Sequence, residues 1–303
     1  MRRIVVVGSS NTDMVVTTPR LPLPGETVMG SDFVMAAGGK GANQAVAAAR
    51  LGGEVAFVAC LGRDLFGDEA LGRFREEGID TRCVVRDPQA PSGAALIMVG
   101  SEGQNIIAVA PGANSRLTSD DIKKARDLIT DAGVVLLQLE IPLAVVAETI
   151  QLARTASCIV ILNPAPAMPL PQALLQQVDI LTPNEIEAML LTGCPTPETA
   201  AQELLNQGVK TIIVTLGAAG VLLGKTGLPL QHIPGFQVIA VDTTAAGDAF
   251  NGGLAAALAR GESLETAIRY AQAAAALSVT KRGAQPSLQN SDEVQQFLKQ
   301  HVK

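Results

Sequence analysis

Val241-Asp242-Thr243-Thr244-Ala245-Ala246-Gly247-Asp248-Ala249-Phe250-Asn251-Gly252 marks a change of structure within twelve residues. The β-rich apolar run at 236–241 ends in a turn of small residues, and an alanine-rich helical pattern then runs on to Arg260. A helix starting near Ala246 points the backbone N–H groups of Ala245, Ala246 and Gly247 out of its N-terminus. The positive end of the helix dipole lies behind them, so the turn is a site for an anion. Asp248 falls in the first turn. A carboxylate there is poorly placed to hold a phosphate and well placed to take a proton from a nucleophile attacking one. An isolated first-turn acid more often only complements the dipole. The small residues ahead of Asp248, and a second glycine-rich segment far upstream, favour the proton acceptor.

That second segment is Ala37-Gly38-Gly39-Lys40-Gly41-Ala42-Asn43-Gln44-Ala45-Val46-Ala47-Ala48-Ala49-Arg50-Leu51-Gly52. Its glycines let the backbone approach a ligand closely, and a helix follows at once, closed by Gly52-Gly53. Lys40 and Asn43 bring side-chain donors to the same mouth. The segment is not a P-loop, because position 35 is Met and Gly41 follows Lys40 where Ser or Thr is required. Gly224-Lys225-Thr226 fails as well. Gly220 is one residue too near, and Val221-Leu222-Leu223 reads as a strand. Gly8-Ser9-Ser10-Asn11 after the first apolar run lacks a dinucleotide fingerprint.

Together the Gly-Gly-Lys-Gly-Ala-Asn-Gln and Asp-Thr-x-x-Ala-Gly-Asp segments resemble the two signatures of the ribokinase-like carbohydrate kinases. The resemblance covers nearly the whole chain. It extends through Gly8-Ser9-Ser10-Asn11-Thr12-Asp13, Pro24-Gly25-Glu26-Thr27, Gln138-Leu139-Glu140 and Asn163-Pro164-Ala165-Pro166-Ala167, and continues in Thr182-Pro183-Asn184-Glu185, Thr215-Leu216-Gly217 and Gly283-Ala284-Gln285-Pro286-Ser287. All of these occur in one order along the chain, which a single short motif could not match in weight.

Composition agrees independently. A chain of 303 residues that is 48% hydrophobic can bury a large core. Aromatics make up 3% and Trp is absent, so that core is built from Ala, Val, Leu and Ile. A net charge of -6 without a basic block argues against a nucleic-acid partner. The four cysteines are widely spaced without C-x-x-C, as reduced thiols of a cytoplasmic protein are. Met1-Arg2-Arg3 is followed by too short an apolar stretch, residues 4–7, for a secretion signal. The uncharged stretch 155–178 is broken by prolines and reads as strand and loop, not as a membrane span of about 20 residues. No membrane partner is expected.

Apolar runs at 4–7, 55–59, 134–139, 158–162, 180–181 and 211–215 read as strands covered on both faces. Helical patterns occupy 42–50, 65–77, 120–128, 143–153, 198–206, 247–259 and 264–279. The alternation predicts an α/β fold, with a mainly parallel central sheet carrying helices on both faces, in one domain over 1–303. Residues 13–37 and 92–109 break the rhythm with short β runs and turns, and are expected to form a small projecting sheet. The resemblance implies that this sheet is a lid over the sugar and that two lids pack in a homodimer. From the residues alone, two surface hairpins are equally acceptable.

In open α/β sheets ligands lie at the carboxyl ends of the strands. Asn11 and Asp13 follow the first strand and Glu140 follows the 134–139 strand, which brings polyol-binding oxygens and amides to that edge. Alone, Asp13 could face solvent and Glu140 could cap a helix before Pro142. The resemblance implies ribose contact at Asn11, Thr12, Asp13, Gly39, Lys40, Gly41, Ala42, Asn43, Glu140 and Asp248. It implies ATP phosphate contact at Asn184, and Mg²⁺ organised by Glu187 through water. Asn184 and Glu187 are three apart and so share a helix face. It further implies a nucleotide loop at Thr215-Leu216-Gly217-Ala218-Ala219-Gly220, which as plain sequence is only a β-turn. Gln272 falls at a nucleotide-side position where family members vary. A monovalent cation, K⁺, is implied beside the anion site, held by oxygens of Asp242, Thr244, Ser278, Lys281, Gly283 and Ser287. The plain alternative pairs Asp242 with Lys281 or Arg282. His232 and His301 read as surface residues.

The function expected from this resemblance is ATP-dependent phosphorylation of D-ribose at its 5-hydroxyl. Asp248 accepts the proton, and the N–H groups of Ala245, Ala246 and Gly247 stabilise the transferred group. Within the class, 2-deoxyribose, another sugar or a nucleoside stays open. Family members specialised for 2-deoxyribose favour an apolar residue where this chain has Asn11. Outside the class, the alternative is a sugar-binding protein without turnover.

Overall fold

Ile4-Val5-Val6-Val7 has no polar side chain, and such a strand is stable only with apolar cover on both faces. In the computed structural model, which describes residues 2–301, it lies inside the main sheet with all four residues 0% exposed. In chain order the elements are β1 (Ile4–Val7), β2 (Asn11–Thr18), β3 (Asp32–Gly38), α1 (Lys40–Arg50), β4 (Val55–Gly62), α2 (Leu65–Glu76), β5 (Val84–Asp87), β6 (Gly93–Gly100) and β7 (Asn105–Ala110). There follow α3 (Ser119–Lys124), α4 (Arg126–Thr130), β8 (Val134–Leu137), α5 (Leu143–Arg154), β9 (Ile159–Leu162), α6 (Gln172–Leu175), β10 (Ile180–Leu181), α7 (Glu185–Thr192) and α8 (Pro197–Asn206). The last third holds β11 (Thr211–Thr215), β12 (Gly220–Lys225), β13 (Gln231–Pro234), α9 (Ala246–Ala259), α10 (Leu264–Ser278) and α11 (Ser291–His301).

Among the described residues the main sheet has nine strands in the order β13-β12-β11-β10-β9-β8-β1-β4-β5. Neighbours pair in parallel from β11 to β5, and β12 and β13 add an antiparallel edge. Strand alternation divides the core in two. Ile4, Val6, Phe57 and Leu136 face the layer of α1, α2, α9, α10 and α11, while Val5, Val7, Val58 and Leu137 face the layer of α3 to α8. The mainly parallel sheet with helices on both faces is therefore as expected.

The near absence of aromatics has a packing consequence. α9 lies against α1 and α10 through small residues. A Cβ on Gly252 would come within 2.5 Å of Ala47 Cβ and 2.8 Å of Ala48 N. The contact exists because position 252 has no side chain. It brings the start of α1 and the start of α9, which carry the two glycine-rich signatures, to one end of the molecule.

The segments that broke the rhythm form a separate four-stranded sheet, β3-β2-β6-β7. Its face opposite Asn11 and Asp13 carries exposed Phe33, Met35, Leu96 and Ile106, while Val34, Ile107 and Val109 are exposed on the other.

Three expectations fail locally. Residues 236–241 form no strand: β13 ends at Pro234, and the following chain runs beside α10, with Val241 N–H donating to Val279 O. Its period-2 pattern is real, since Phe236, Val238 and Ala240 line a cleft while Ile239 is exposed, but no ladder partner is present. The helix expected at 120–128 breaks at Ala125 into α3 and α4. The third strand stops at Leu137 instead of Leu139, because Leu139 N–H donates to Ala165 O outside the ladder. No helix among the described residues is long and apolar enough to cross a membrane. All four cysteines are free.

Candidate active site

The carboxyl ends of β1, β8, β9, β10 and β11 open on one side, and the N-termini of α1, α7 and α9 meet there. Asp248 sits in the first turn of α9, 6% exposed. Its Oδ1 accepts from Gln44 Nε2 at 2.9 Å and its Oδ2 from Asn43 Nδ2 at 2.9 Å. Burial pushes its pKa up, and the Lys40 charge with the Gln44 and Asn43 hydrogen bonds opposes that rise.

A polar cleft of about 190 Å³ opens over Asp248. It is lined by Lys40, Asn163, Thr182, Asn184, Glu187, Thr215 and the 243–248 turn. Ala245 holds φ +60°, the one non-glycine residue with positive φ among the described residues. Only a short side chain tolerates that cheaply, so alanine there shapes the turn. The N–H groups of Ala245 and Gly247 have no protein acceptor among the described residues. Ala246 differs from expectation: its N–H donates to Thr243 O at 3.2 Å, closing the turn instead of facing the cleft. Lys40 projects into the cleft without forming an ion pair among the described residues. Asn184 and Glu187 form a capping box, Asn184 Oδ1 accepting from Glu187 N–H and Glu187 Oε2 from Asn184 N–H. Asn184 Nδ2 and the second Glu187 oxygen remain for the cleft. Burial raises the Glu187 carboxyl, while the Asn184 N–H and Lys40 pull it down.

At the start of β2, Asn11 and Asp13 alternate onto one face, and Thr12 onto the other, away from them. Asp13 is pushed up to about 6 by burial, with Glu140 and Asp248 adding like charge. Three carboxylates thus crowd one space, an acceptor-rich surface suited to hydroxyl groups. Gly38 is required there, since a Cβ would come within 2.2 Å of Asp13 Oδ2. Gly39 holds φ +87° against Ser10 and Asn11 backbone. Glu140 Oε2 accepts from Lys40 N–H at 3.0 Å and from Ser9 Oγ at 2.5 Å, and Ser9 Oγ in turn accepts from Gly41 N–H at 3.3 Å. Ala42 brings no free polar group, because its N–H donates to Ser9 O and its side chain is in the core.

An adjoining apolar cleft of about 270 Å³ shares Thr215, Thr243, Ala246 and Gly247 with the polar one. From the expected nucleotide loop, Thr215, Gly217, Ala218 and Gly220 line it. Leu216 packs on the core and Ala219 does not line the cleft, its carbonyl bonding the His232 ring at 2.8 Å. Gln272 does line it, with its amide already engaged, Nε2 donating to Ile233 O and Oε1 accepting from Arg269. The walls missed in the sequence include Val238, Ala240, Phe250, Ala275, Ala276 and Val279.

Beside the 243–248 turn, Asp242 Oδ1 accepts from Thr244 N–H and Oγ1, and Oδ2 accepts from Gly283 N–H at 2.8 Å. Burial pushes the Asp242 carboxyl up, but these hydrogen bonds and Arg282 outweigh it and hold the carboxyl below its usual value. Lys281 does not pair with Asp242, its Nζ reaching Gln289 and Glu293. Ser278 Oγ and Ser287 Oγ donate to Ala275 O and Ala284 O. The carbonyls of Lys281 and Gly283 receive no hydrogen bond among the described residues.

Sequence reasoning missed Ser9, Gln44, Asn114 and Asn163 as site-building residues. Ser9 and Asn163 follow strand ends, a signal that could have found them. Asn114, which donates to Asn11, lies in a 3₁₀ turn with no signal of its own.

The chain belongs to the pfkB family of carbohydrate kinases, whose sequence model matches residues 1–291. It is 44% identical over 302 residues to a ribokinase of Haemophilus influenzae, covering 98% of each chain. A ribokinase structure from Thermotoga maritima superposes with a TM-score of 0.91 at 41% identity, covering 99% of this chain and 100% of the other. A ribokinase from Arabidopsis thaliana, complexed with ribose and ATP, gives a TM-score of 0.91 at 36% identity over 98% of this chain and 99% of the other.

Proposed function

We propose that this chain transfers the γ-phosphoryl group of ATP to the 5-hydroxyl of D-ribose, giving D-ribose 5-phosphate and ADP. The observation that carries the reading is Asp248. Its buried carboxylate lies beneath the free N–H groups of Ala245 and Gly247 and feels the charges of Lys40 and Glu140. Asn11, Asp13 and Glu140, with the backbone from Gly39 to Asn43, hold the sugar. Asp248 takes the proton of the 5-hydroxyl as that oxygen attacks the γ-phosphorus in line. Ala245, Gly247 and Lys40 stabilise charge on the transferred group, and the Ala246 N–H joins them only if the turn bond to Thr243 opens. The apolar cleft takes the adenine, and Asn184 donates to the phosphates.

Among the described residues no group of three or more His, Cys, Asp or Glu is placed to hold a metal ion by itself. That fits Mg²⁺, which keeps most of its waters and binds chiefly through phosphates, with Glu187 as the protein's acid toward it. Mg²⁺ neutralises phosphate charge when bound. Asp242, ionised and joined to both loops, with the unbonded carbonyls of Lys281 and Gly283, fits a K⁺ that would brace the anion turn from outside. Thr244, Ser278 and Ser287 belong to the same set. The exposed apolar face of the small sheet supports a homodimer through the lid, and the lid itself would exclude water. The reading places the protein in the cytoplasm, where ATP is available.

A coupled assay of ADP release tests this with ribose, 2-deoxyribose, fructose and adenosine, with and without K⁺. Ribose should give the highest kcat/KM, and K⁺ should raise it. ADP release with ribose no faster than without sugar overturns the reading, as does a tenfold preference for another substrate.

A further inference from the structure

The carboxylate of Asp248 is gripped from behind by a residue that lines neither cleft. Gln44 is 0% exposed, and its Nε2 donates both to Asp248 Oδ1 at 2.9 Å and to Asn163 Oδ1 at 3.1 Å. Asn163 is itself oriented, because its Nδ2 donates to Thr182 O at 2.9 Å. Both neighbours at that end of Gln44 are therefore acceptors, and the end must be the NH₂ group. Gln44 Oε1 then faces Gln138, whose Nε2 donates to it at 2.6 Å. This leaves Gln138 Oε1 buried without a partner, packed where a Cβ on Gly8 would come within 2.1 Å of it.

An orphaned buried amide oxygen is costly and uncommon. Turning the Gln138 amide over would not remove the cost, since two amide oxygens would then meet. Turning both amides would set Gln44 Oε1 against a carboxylate. The orphan is the consequence of a demand made at Asp248. The chain Gln138 to Gln44 to Asp248 runs one way because its last member must be an acceptor.

We infer that Gln44 is a positioning residue for phosphoryl transfer, whose amide, locked by Gln138 and Asn163, fixes the Asp248 carboxylate so that a free lone pair faces the substrate hydroxyl. The inference rests on the reading of Asp248 as proton acceptor. Among the described residues, the charged groups that act on Asp248 are Lys40, Glu140, Asp13 and Glu187. Gln44 acts from within the protein and holds geometry without adding charge.

The test uses steady-state kinetics of the full chain with ribose and ATP. Gln44→Met keeps the shape and removes the donor. It should lower kcat about 10- to 100-fold, the range for outer residues that orient a reacting group, with both KM values within about threefold. In an Asp248→Asn background the same change should lower the residual kcat by less than about threefold, because the group it positions is gone. Gln138→Met, which removes the lock and moves the orphan from Gln138 Oε1 to Gln44 Oε1, should lower kcat about three- to tenfold with the melting temperature little changed. Unchanged kcat in Gln44→Met while Asp248→Asn is inactive overturns the inference and leaves the role of Asp248 standing. So does an equal loss in both backgrounds, or a loss confined to KM. Near-normal turnover in Asp248→Asn overturns both. Should Gln44→Met fail to fold, unchanged kcat in Gln138→Met is the overturning result.

Discussion

Asn114 Nδ2 donates to Asn11 Oδ1 at 2.8 Å, and this bond decides which end of the Asn11 amide is left free. Asn114 is 1% exposed and is itself pinned, accepting from Ser10 N–H at 2.9 Å and donating to Ser10 O at 3.1 Å. With its oxygen occupied, Asn11 offers Nδ2 as a donor. Asn114→Asp keeps the size and the bond from Ser10 but cannot donate, so Asn11 turns over and presents its oxygen. Loss of one such contact should lower kcat/KM for ribose about tenfold and leave that for 2-deoxyribose within about threefold, if the lost contact is the one to the 2-hydroxyl. A parallel fall for both sugars would sink this assignment.

Asp248→Asn should lower kcat by at least ~10²-fold with ribose affinity largely kept, on the usual size of general-base effects. Asparagine still fills the site, and its single amide oxygen keeps one of the two bonds from Asn43 and Gln44, so the fold is retained at a cost of about 1–3 kcal/mol. Rapid-quench or steady-state turnover, set beside ribose binding measured by calorimetry, separates the two quantities.

The crowded carboxylates predict a pH effect opposite to that of a salt-bridged acid. Asp13 has a folded pKa of about 6 against 3.8 for the free group, so the folded protein holds its proton more tightly than the unfolded chain. Its contribution to stability is fully present below the unfolded value and is lost as pH rises through about 6. Asp13→Asn should therefore stabilise the ligand-free protein at pH 8 by about 1–2 kcal/mol, after discounting for partial exposure, and by only about a third as much at pH 4.5. Thermal melts at the two pH values check this. Ribose binding should fall in the same variant, as expected where stability is given up for function.

Two glycines in helices should respond with opposite sign. Gly252→Val drives a side chain into Ala47 and Ala48 and should cost about 2–3 kcal/mol, a melting-point drop of roughly 4–8 °C. Gly72, in α2, has no atom within 4 Å of a Cβ, so Gly72→Ala should stabilise by about 0.5–1 kcal/mol. Differential scanning calorimetry of both variants is sufficient, and equal signs would refute the packing account of α9.

Much of the architecture was legible because parallel strands are covered on both faces and so appear as unbroken apolar runs. Residues 4–7, 180–181 and 211–215 could be read to the residue for that reason. The amphipathic C-terminal helix α11 was not read, nor were the edge strands β5 and β13. Residues 236–241 carry a strand's alternation without a strand's partner, and pairing is a property of neighbours that periodicity does not contain.

By itself the sequence determined the fold class, the two glycine-rich turns and the identity of Asp248 as the acid between them. Local chemistry decides these: glycine where backbone must approach closely, alanine where φ turns positive, an acid in the first turn of a helix. Only the tertiary structure decided the directions of the amides, Gln44 toward Asp248 and Asn114 toward Asn11. Each bond joins residues more than a hundred positions apart, 204 and 103 respectively. Which end of a buried amide faces its neighbour depends on every other donor and acceptor packed around it, and that set exists only after the chain has folded.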